Sequence, residues 1–204
     1  YAVATVKPYQ GQRHGHRPAT WEYLRDVMEG GRLDCDVVEA AEVEADDLFG
    51  MHTEPGRDVI LTQDKDMRMI PGLHMDWDTG RIVRVAPGDD FVWNDKQWGT
   101  LWFWHQVLHG DTADNIPGLP FRVAGGKKIR VGEKTAPKLL AGHPSKLLAV
   151  LDLYRTYYGD MAEMHLAEQA VLLWIRRGTG GWDNVFEPGH PLENAFDDDA
   201  STWF

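Results

Sequence analysis

The chain has one cysteine in 204 residues, Cys35, so no intrachain disulfide can form. That usage fits a reducing compartment, and a cytoplasmic location is the expectation. No apolar run approaches the roughly 18 residues that a spanning helix needs, so no membrane partner is expected. No signal peptide is visible, and the first residue is Tyr1 rather than Met, so an upstream segment is expected. Positive charge is also scarce. Lys and Arg total 21 against 32 Asp and Glu, a formal net charge of −11. This argues against a broad nucleic-acid-binding face. A local basic stripe remains compatible with it, as does negative charge masked by bound cations.

Hydrophobic residues make up 43% of the chain, enough for a real core. There is no internal repeat and no low-complexity segment. Residues 1–18 read as loop, broken by Pro8, Gly11, Gly15 and Pro18. Thr20 is the expected N-cap of a helix through Glu29, with Trp21, Leu24, Val27 and Met28 on one face and Gly30-Gly31 ending it. Asp36–Glu39 is a short strand candidate. Glu44–Met51 opens a second helix, and Asp58–Thr62 is a buried strand. His74–Trp77 and Arg81–Val85 pair around Asp78-Thr79-Gly80, and Lys96–Leu108 is helical. Trp98, Leu101, Trp102, His105 and Leu108 recur at helical spacing and read as core. From Pro117 to Lys138 glycine and basic residues dominate, and helical patterns follow. The expected architecture is an α/β core over 1–109 and a helical module over 110–204.

Three acidic groups stand out: Glu44-Ala45-Asp46-Asp47, Asp64-Lys65-Asp66, and Asp111-Thr112-Ala113-Asp114. Singly, each has a plain structural reading. The first suits a helix N-terminus, the second a polar turn, the third an Asx-type turn. Together, near the ends of neighbouring elements, they would raise one another's pKa values unless cations were bound. Oxygen ligands without Cys/His spacing favour Mg²⁺ or Mn²⁺ over zinc. His14 and His16, in a glycine-rich loop, read as solvated.

These residues resemble the 5′→3′ exonuclease/flap endonuclease family, in a compact spacing similar to its bacteriophage-encoded members. Glu44-Ala45-Asp46-Asp47 matches that family's E-[AG]-D-D, and Thr62-Gln63-Asp64-Lys65-Asp66 is similar to its strand-end D-x-D. Gly110-Asp111-Thr112-Ala113-Asp114-Asn115-Ile116-Pro117-Gly118 is similar to G-D-x-x-D-N-[IL]-P-G. Val131-Gly132-Glu133-Lys134-Thr135-Ala136 is similar to the glycine-lysine segment of the family's helix–three-turn–helix, and Tyr9-Gln10-Gly11-Gln12-Arg13 resembles Y-K-G-N-R.

The resemblance implies a PIN-like α/β core with a mostly parallel sheet flanked by helices, then a helix–three-turn–helix module. It implies hydrolysis of DNA phosphodiesters at 5′ ends or flaps, in the (host) cytoplasm, by a monomer using two Mg²⁺ or Mn²⁺ ions. Glu44, Asp46, Asp47 and Asp64 would serve one ion, with Asp66, Asp111 and Asp114 at the other. Asp46, Asp64 and Arg13 are the implied catalytic residues, Arg13 gripping a phosphate.

DNA contacts would come from Arg13, Arg122, Lys127, Lys128, Arg130, Gly132, Lys134 and Lys138, with K⁺ at the amides near Gly132. The segment Leu119–Arg130 is additional to the family pattern and reads as a basic hairpin turning at Gly125-Gly126. Gln10 stands where the family has lysine. The acidic N-terminal ligands of the family precede Tyr1 in pattern, so they are expected upstream. The tail Phe196–Phe204 reads as disordered, or as an acidic-aromatic docking tip for replication proteins. The alternatives are a non-catalytic branched-DNA-binding module and a related metal-dependent ribonuclease.

Overall fold

A computed structural model describes residues 4–11, 15, 17–41, 43–129, 131–178, 186, 189–193 and 195, without the side chains of residues 123, 124 and 128. It is a mixed α/β molecule with small sheets. The helices are α1 (Thr20–Glu29), α2 (Ala45–His52), α3 (Thr100–His109), α4 (Ala136–Leu140), α5 (Lys146–Tyr158) and α6 (Ala162–Leu173). The strands are β1 (Val59–Leu61), β2 (Gly72–Met75), β3 (Ile82–Val85), β4 (Asp90–Trp93), β5 (Lys96–Gly99), β6 (Arg122–Ala124) and β7 (Lys127–Ile129).

The core is organised around α3. Its sequence is apolar on nearly every side, and Trp102 through Leu108 are all buried, as an all-round hydrophobic helix must be. It packs on α4, α5, α6, β5 and the 3-10 turn Asp66–Met69. Ile60, Met67, Met69 and Ile70 join Leu119, Leu140, Val150, Leu166 and Leu173 in one hydrophobic cluster, so both sides of position 110 share a core. Within it the Tyr154 hydroxyl donates to the Val107 carbonyl at 2.7 Å. Ser145 caps α5, accepting from the Leu148 amide at 3.2 Å.

The expected mostly parallel sheet is not what forms among the described residues. β1 and β2 are parallel, but β3 adds antiparallel to β2, and β4–β5 and β6–β7 are separate antiparallel pairs. The short connections after β2, β4 and β6 account for the antiparallel pairs, because two strands joined by a tight turn run in opposite directions. The 74–85 hairpin is present. β4–β5 replaces the expected helix start at Lys96. Asn94 and Asp95 both have positive φ, 51° and 58°, the conformation that two-residue hairpin turns demand. The β6–β7 hairpin turns at Gly125-Gly126 as expected. β1 is shorter than expected, and only its central Ile60 is buried.

Two other expectations fail. Asp36–Glu39 is irregular. Thr20 is the first helical residue of α1, with no side-chain cap in place, and α1 has no buried residue; Leu24 and Met28 stay exposed. Periodicity there created an apolar face of which, among the described residues, Trp21 is covered by Arg17 while Leu24 and Met28 stay exposed.

Helix α2 meets the segment after α6 at Gly50, where an added Cβ would overlap the Arg176 carbonyl oxygen. Gly50→Ala therefore destabilises by about 1–3 kcal/mol, although alanine is the better helix former. Chemical denaturation compared with wild type measures it.

Candidate metal centre

The site begins where β1 ends. After Leu61 the chain makes two side-chain-to-backbone turns in succession. The Asp64 amide donates to Thr62 Oγ1 at 3.0 Å, and the Asp66 amide donates to Asp64 Oδ1 at 3.0 Å. The 3-10 turn then buries Met67 and Met69. This anchoring leaves Asp64 exposed and Asp66 half-buried at the carboxyl end of a parallel strand pair.

The second part is the loop after α3. Asp111 and Ile116 exchange both backbone hydrogen bonds, at 2.9 and 2.7 Å, closing a tight loop. Asp111 Oδ1 accepts from the Ala113 amide at 2.7 Å. Gly110 and Gly118 lie back to back at its base with φ of 76° and 62°, and a Cβ on either would overlap the other's backbone or that of residues beside it. The loop thus holds Asp111 buried and Asp114 half-buried beside Asp66.

The third part is α2 with the N-terminal segment. Glu44 occupies the N-cap position, and Asp46 lies in the first turn. Tyr9 donates its hydroxyl to both Glu44 oxygens at 3.0 and 3.1 Å, and Gln10 Nε2 donates to Glu44 at 3.2 Å. The segment is tied to the loop by the Gln10 amide on the Asp114 carbonyl at 2.8 Å and by Asn115 Nδ2 on the Pro8 carbonyl at 2.8 Å. Farther back, the buried Glu168 of α6 accepts from the Thr5 and Val6 amides at 2.8 and 2.9 Å and from the Thr5 hydroxyl.

Asp66, Asp111 and Asp114 each offer a carboxylate oxygen within 4.8 Å of the others, a group able to hold a metal ion. Burial, followed by the negative fields of Asp64, Glu44, Asp66 and Asp114, pushes the Asp46 carboxyl up to about 6. Burial also raises Asp66. Two cations stand among these groups. Lys65 Nζ donates to Asp66 Oδ1 at 3.0 Å and to Asp111 Oδ2. Arg68 lies over the Trp102 ring, 5.2 Å from its centroid, and burial lowers its proton affinity against the opposing fields of Asp66, Glu133 and Asp64. Gln106 Nε2 donates to Asp66 Oδ1. An all-oxygen donor set with half-buried, mutually repelling carboxylates suits a hard divalent cation.

The predicted residues fall into distinct groups. Asp66, Asp111 and Asp114 converge, and Asp46, Asp64 and Glu44 lie close enough for their charges to be felt within that group. Asp47 is engaged elsewhere. It is buried, its Oδ1 accepts from the Arg176 amide at 2.9 Å, and its Oδ2 accepts from the Glu44 amide at 3.2 Å. Those bonds close the first turn of α2 onto the segment after α6, and Asp47 is not one of the three carboxylates grouped closely enough to share an ion among the described residues.

Among the expected DNA contacts, Lys127, Lys134 and Lys138 are exposed, and Arg122 and Gly132 are half-buried. Arg13 and Arg130 lie outside the described residues, as do His14, His16, the tail 196–204 and the Lys128 side chain. Lys65, Arg68, Gln106 and Glu168 join the site or its supports without having been expected there. Lys65 lies inside the Asp-Lys-Asp motif, which was the available signal.

The Asp46 shift has a definite sign. Its folded pKa is raised, so the folded state holds the proton more tightly than the unfolded chain between about pH 4 and 6. That contribution to stability is full below the unfolded value and is lost as pH rises through about 6. Buried His105 and His190 act oppositely: burial lowers them to about 4 and about 3, so stability falls as pH drops below their usual range. The difference between wild type and Asp46→Asn isolates the carboxyl. In metal-free buffer at pH 7.5 the variant melts a few degrees higher, a gain on the order of 1 kcal/mol, and the gain shrinks toward pH 5. Thermal melts across that range check it.

No family model, curated protein or solved structure matches the chain.

Proposed function

We propose that the chain is a divalent-cation-dependent nuclease that hydrolyses DNA at 5′ ends or flaps, on a PIN-like core joined to a helix–three-turn–helix module. The observation that carries this reading is the convergence of Asp66, Asp111 and Asp114 beside Asp46 and Asp64, from three segments far apart in sequence. Carboxylates held this close attract positive charge beyond the single Lys65 ammonium, and phosphodiesters are one substrate class that paired hard cations on carboxylates hydrolyse.

Asp66, Asp111 and Asp114 are the residues to hold one cation; Asp46 and Asp64, flanked by Glu44, are those to hold a second. Bound Mg²⁺ or Mn²⁺ supplies Lewis acidity toward water and the phosphate oxygens. The protein's own part is positioning. The Asp111–Ile116 bridge and the Thr62–Asp64–Asp66 turns fix the carboxylates before substrate arrives. Tyr9 and Gln10 hold Glu44 in place. Beyond the site, Lys127 on the β6–β7 hairpin and Lys134 and Lys138 around the start of α4 present exposed positive charge inside an acidic chain. Such groups suit duplex phosphates.

Incubation of a 5′-labelled flap, a nicked duplex and an RNA strand with Mg²⁺ or EDTA tests the reading, with Mg²⁺-dependent cleavage of the DNA substrates expected. Binding without cleavage means a non-catalytic branched-DNA module, and a preference for RNA means a ribonuclease. Asp64→Asn and Asp111→Asn each lower cleavage by on the order of a hundredfold or more while retaining DNA binding. Combined Lys127→Ala and Lys134→Ala weakens binding alike for all sequences and reduces the slope of log affinity against log salt by about 2. Filter binding at several salt concentrations measures it.

A further inference from the structure

Lys65 bridges two aspartates, one its neighbour in sequence and the other 46 residues away. Its ammonium donates to Asp66 Oδ1 at 3.0 Å and to Asp111 Oδ2. The Asp111 side chain is only 2% exposed, that of Asp66 19%, and that of Lys65 34%. The pair therefore links a buried carboxylate from the loop after α3 to a half-buried one from the β1 end, through a cation that reaches in from the rim. Asp66 and Asp111 belong to the same group, with Asp114, whose oxygens lie within 4.8 Å of one another. The ammonium thus occupies the neighbourhood in which a metal ion would have to sit.

Three further facts bear on what this ammonium does. A buried carboxylate without a counter-charge is costly, and the Lys65 ammonium is a cation in direct contact with Asp111. Lys65 supplies one charge and Arg68 a second nearby, against Asp66, Asp111 and Asp114 with Asp64 beside them, so negative charge stays in excess and the site is attractive to a divalent ion. And the Lys65 stem starts at a half-buried position on the rim, so its head has solvent to move into.

We propose that Lys65 is the resident counter-cation of this site, holding Asp66 and Asp111 together until a divalent cation displaces its ammonium toward solvent. The inference rests on the metal-centre reading above and adds a mechanism of control to it. The apparent metal affinity is set by competition with an internal cation, and the metal-free protein keeps its carboxylates in register without a bound ion.

The test uses Mn²⁺ alone with the full chain. Isothermal titration of Lys65→Met is expected to give a Kd for Mn²⁺ at least tenfold lower than that of wild type. Its melting temperature should rise more on Mn²⁺ addition. In wild type, Mn²⁺ is expected to increase acylation of Lys65 by an amine-reactive reagent, read by peptide mass spectrometry, because the ammonium is released. This second measurement needs no variant and stands even where Lys65→Met folds poorly. Equal or weaker Mn²⁺ binding by the variant, or unchanged or reduced Lys65 acylation, overturns the exchange while leaving the metal centre in place. Absence of Mn²⁺ binding to either protein overturns the metal centre and the exchange with it.

Discussion

Asp111 is a buried carboxylate at the neck of the loop that follows α3, the helix around which the described core is organised, and its burial favours a partner for its charge. The backbone bridge to Ile116 and the back-to-back glycines at 110 and 118 fix where that carboxylate points. From there the constraint spreads outward. Asp66 must lie within reach, so the end of β1 turns sharply through Thr62 and Asp64. Asp114 shares the loop, and its carbonyl receives the Gln10 amide, which brings Tyr9 against Glu44. Each of these contacts sets the position of a charge relative to Asp111.

The N-terminal segment is held from both ends. Glu168, deep in α6, accepts from the Thr5 and Val6 amides, and Asn115 donates to the Pro8 carbonyl. A helix of the C-terminal half therefore helps to position the residues that touch the acidic N-cap of α2. The same half reaches α2 again through the Arg176 amide on Asp47 and the close approach at Gly50. The carboxylate cluster thus has supports from both halves of the chain, in keeping with the single hydrophobic cluster that spans position 110.

Much of this could be read from local chemistry. The acidic groups were visible as like charges at short spacing beside apolar residues. The Gly125-Gly126 hairpin and the 74–85 hairpin were visible because their turn residues have few other conformations. The Asn94-Asp95 hairpin was not expected: its turn lacks the glycine of the stronger signals, and the helical spacing of Trp98, Leu101, Trp102 and His105 pointed to a helix from Lys96. Trp98 in fact sits on β5 and packs against Phe91 and Trp93, while Trp102 and His105 are on α3. Glu168 could not have been found: a lone acidic residue in a helical pattern looks solvated until the segment it binds is known.

What the sequence by itself determined was the inventory: which short stretches carry charge, which turn, and which helix is apolar enough to be buried. Those depend on neighbours along the chain. Only the tertiary structure decided how the carboxylates divide their work. Asp46 and Asp47 are adjacent, yet one faces the cluster and the other closes a helix end against the Arg176 amide. Lys65 reads as a turn residue until Asp111 is brought beside it. Consecutive residues on a helix point in directions about 100° apart, and what each direction meets is set by chain that is distant in sequence.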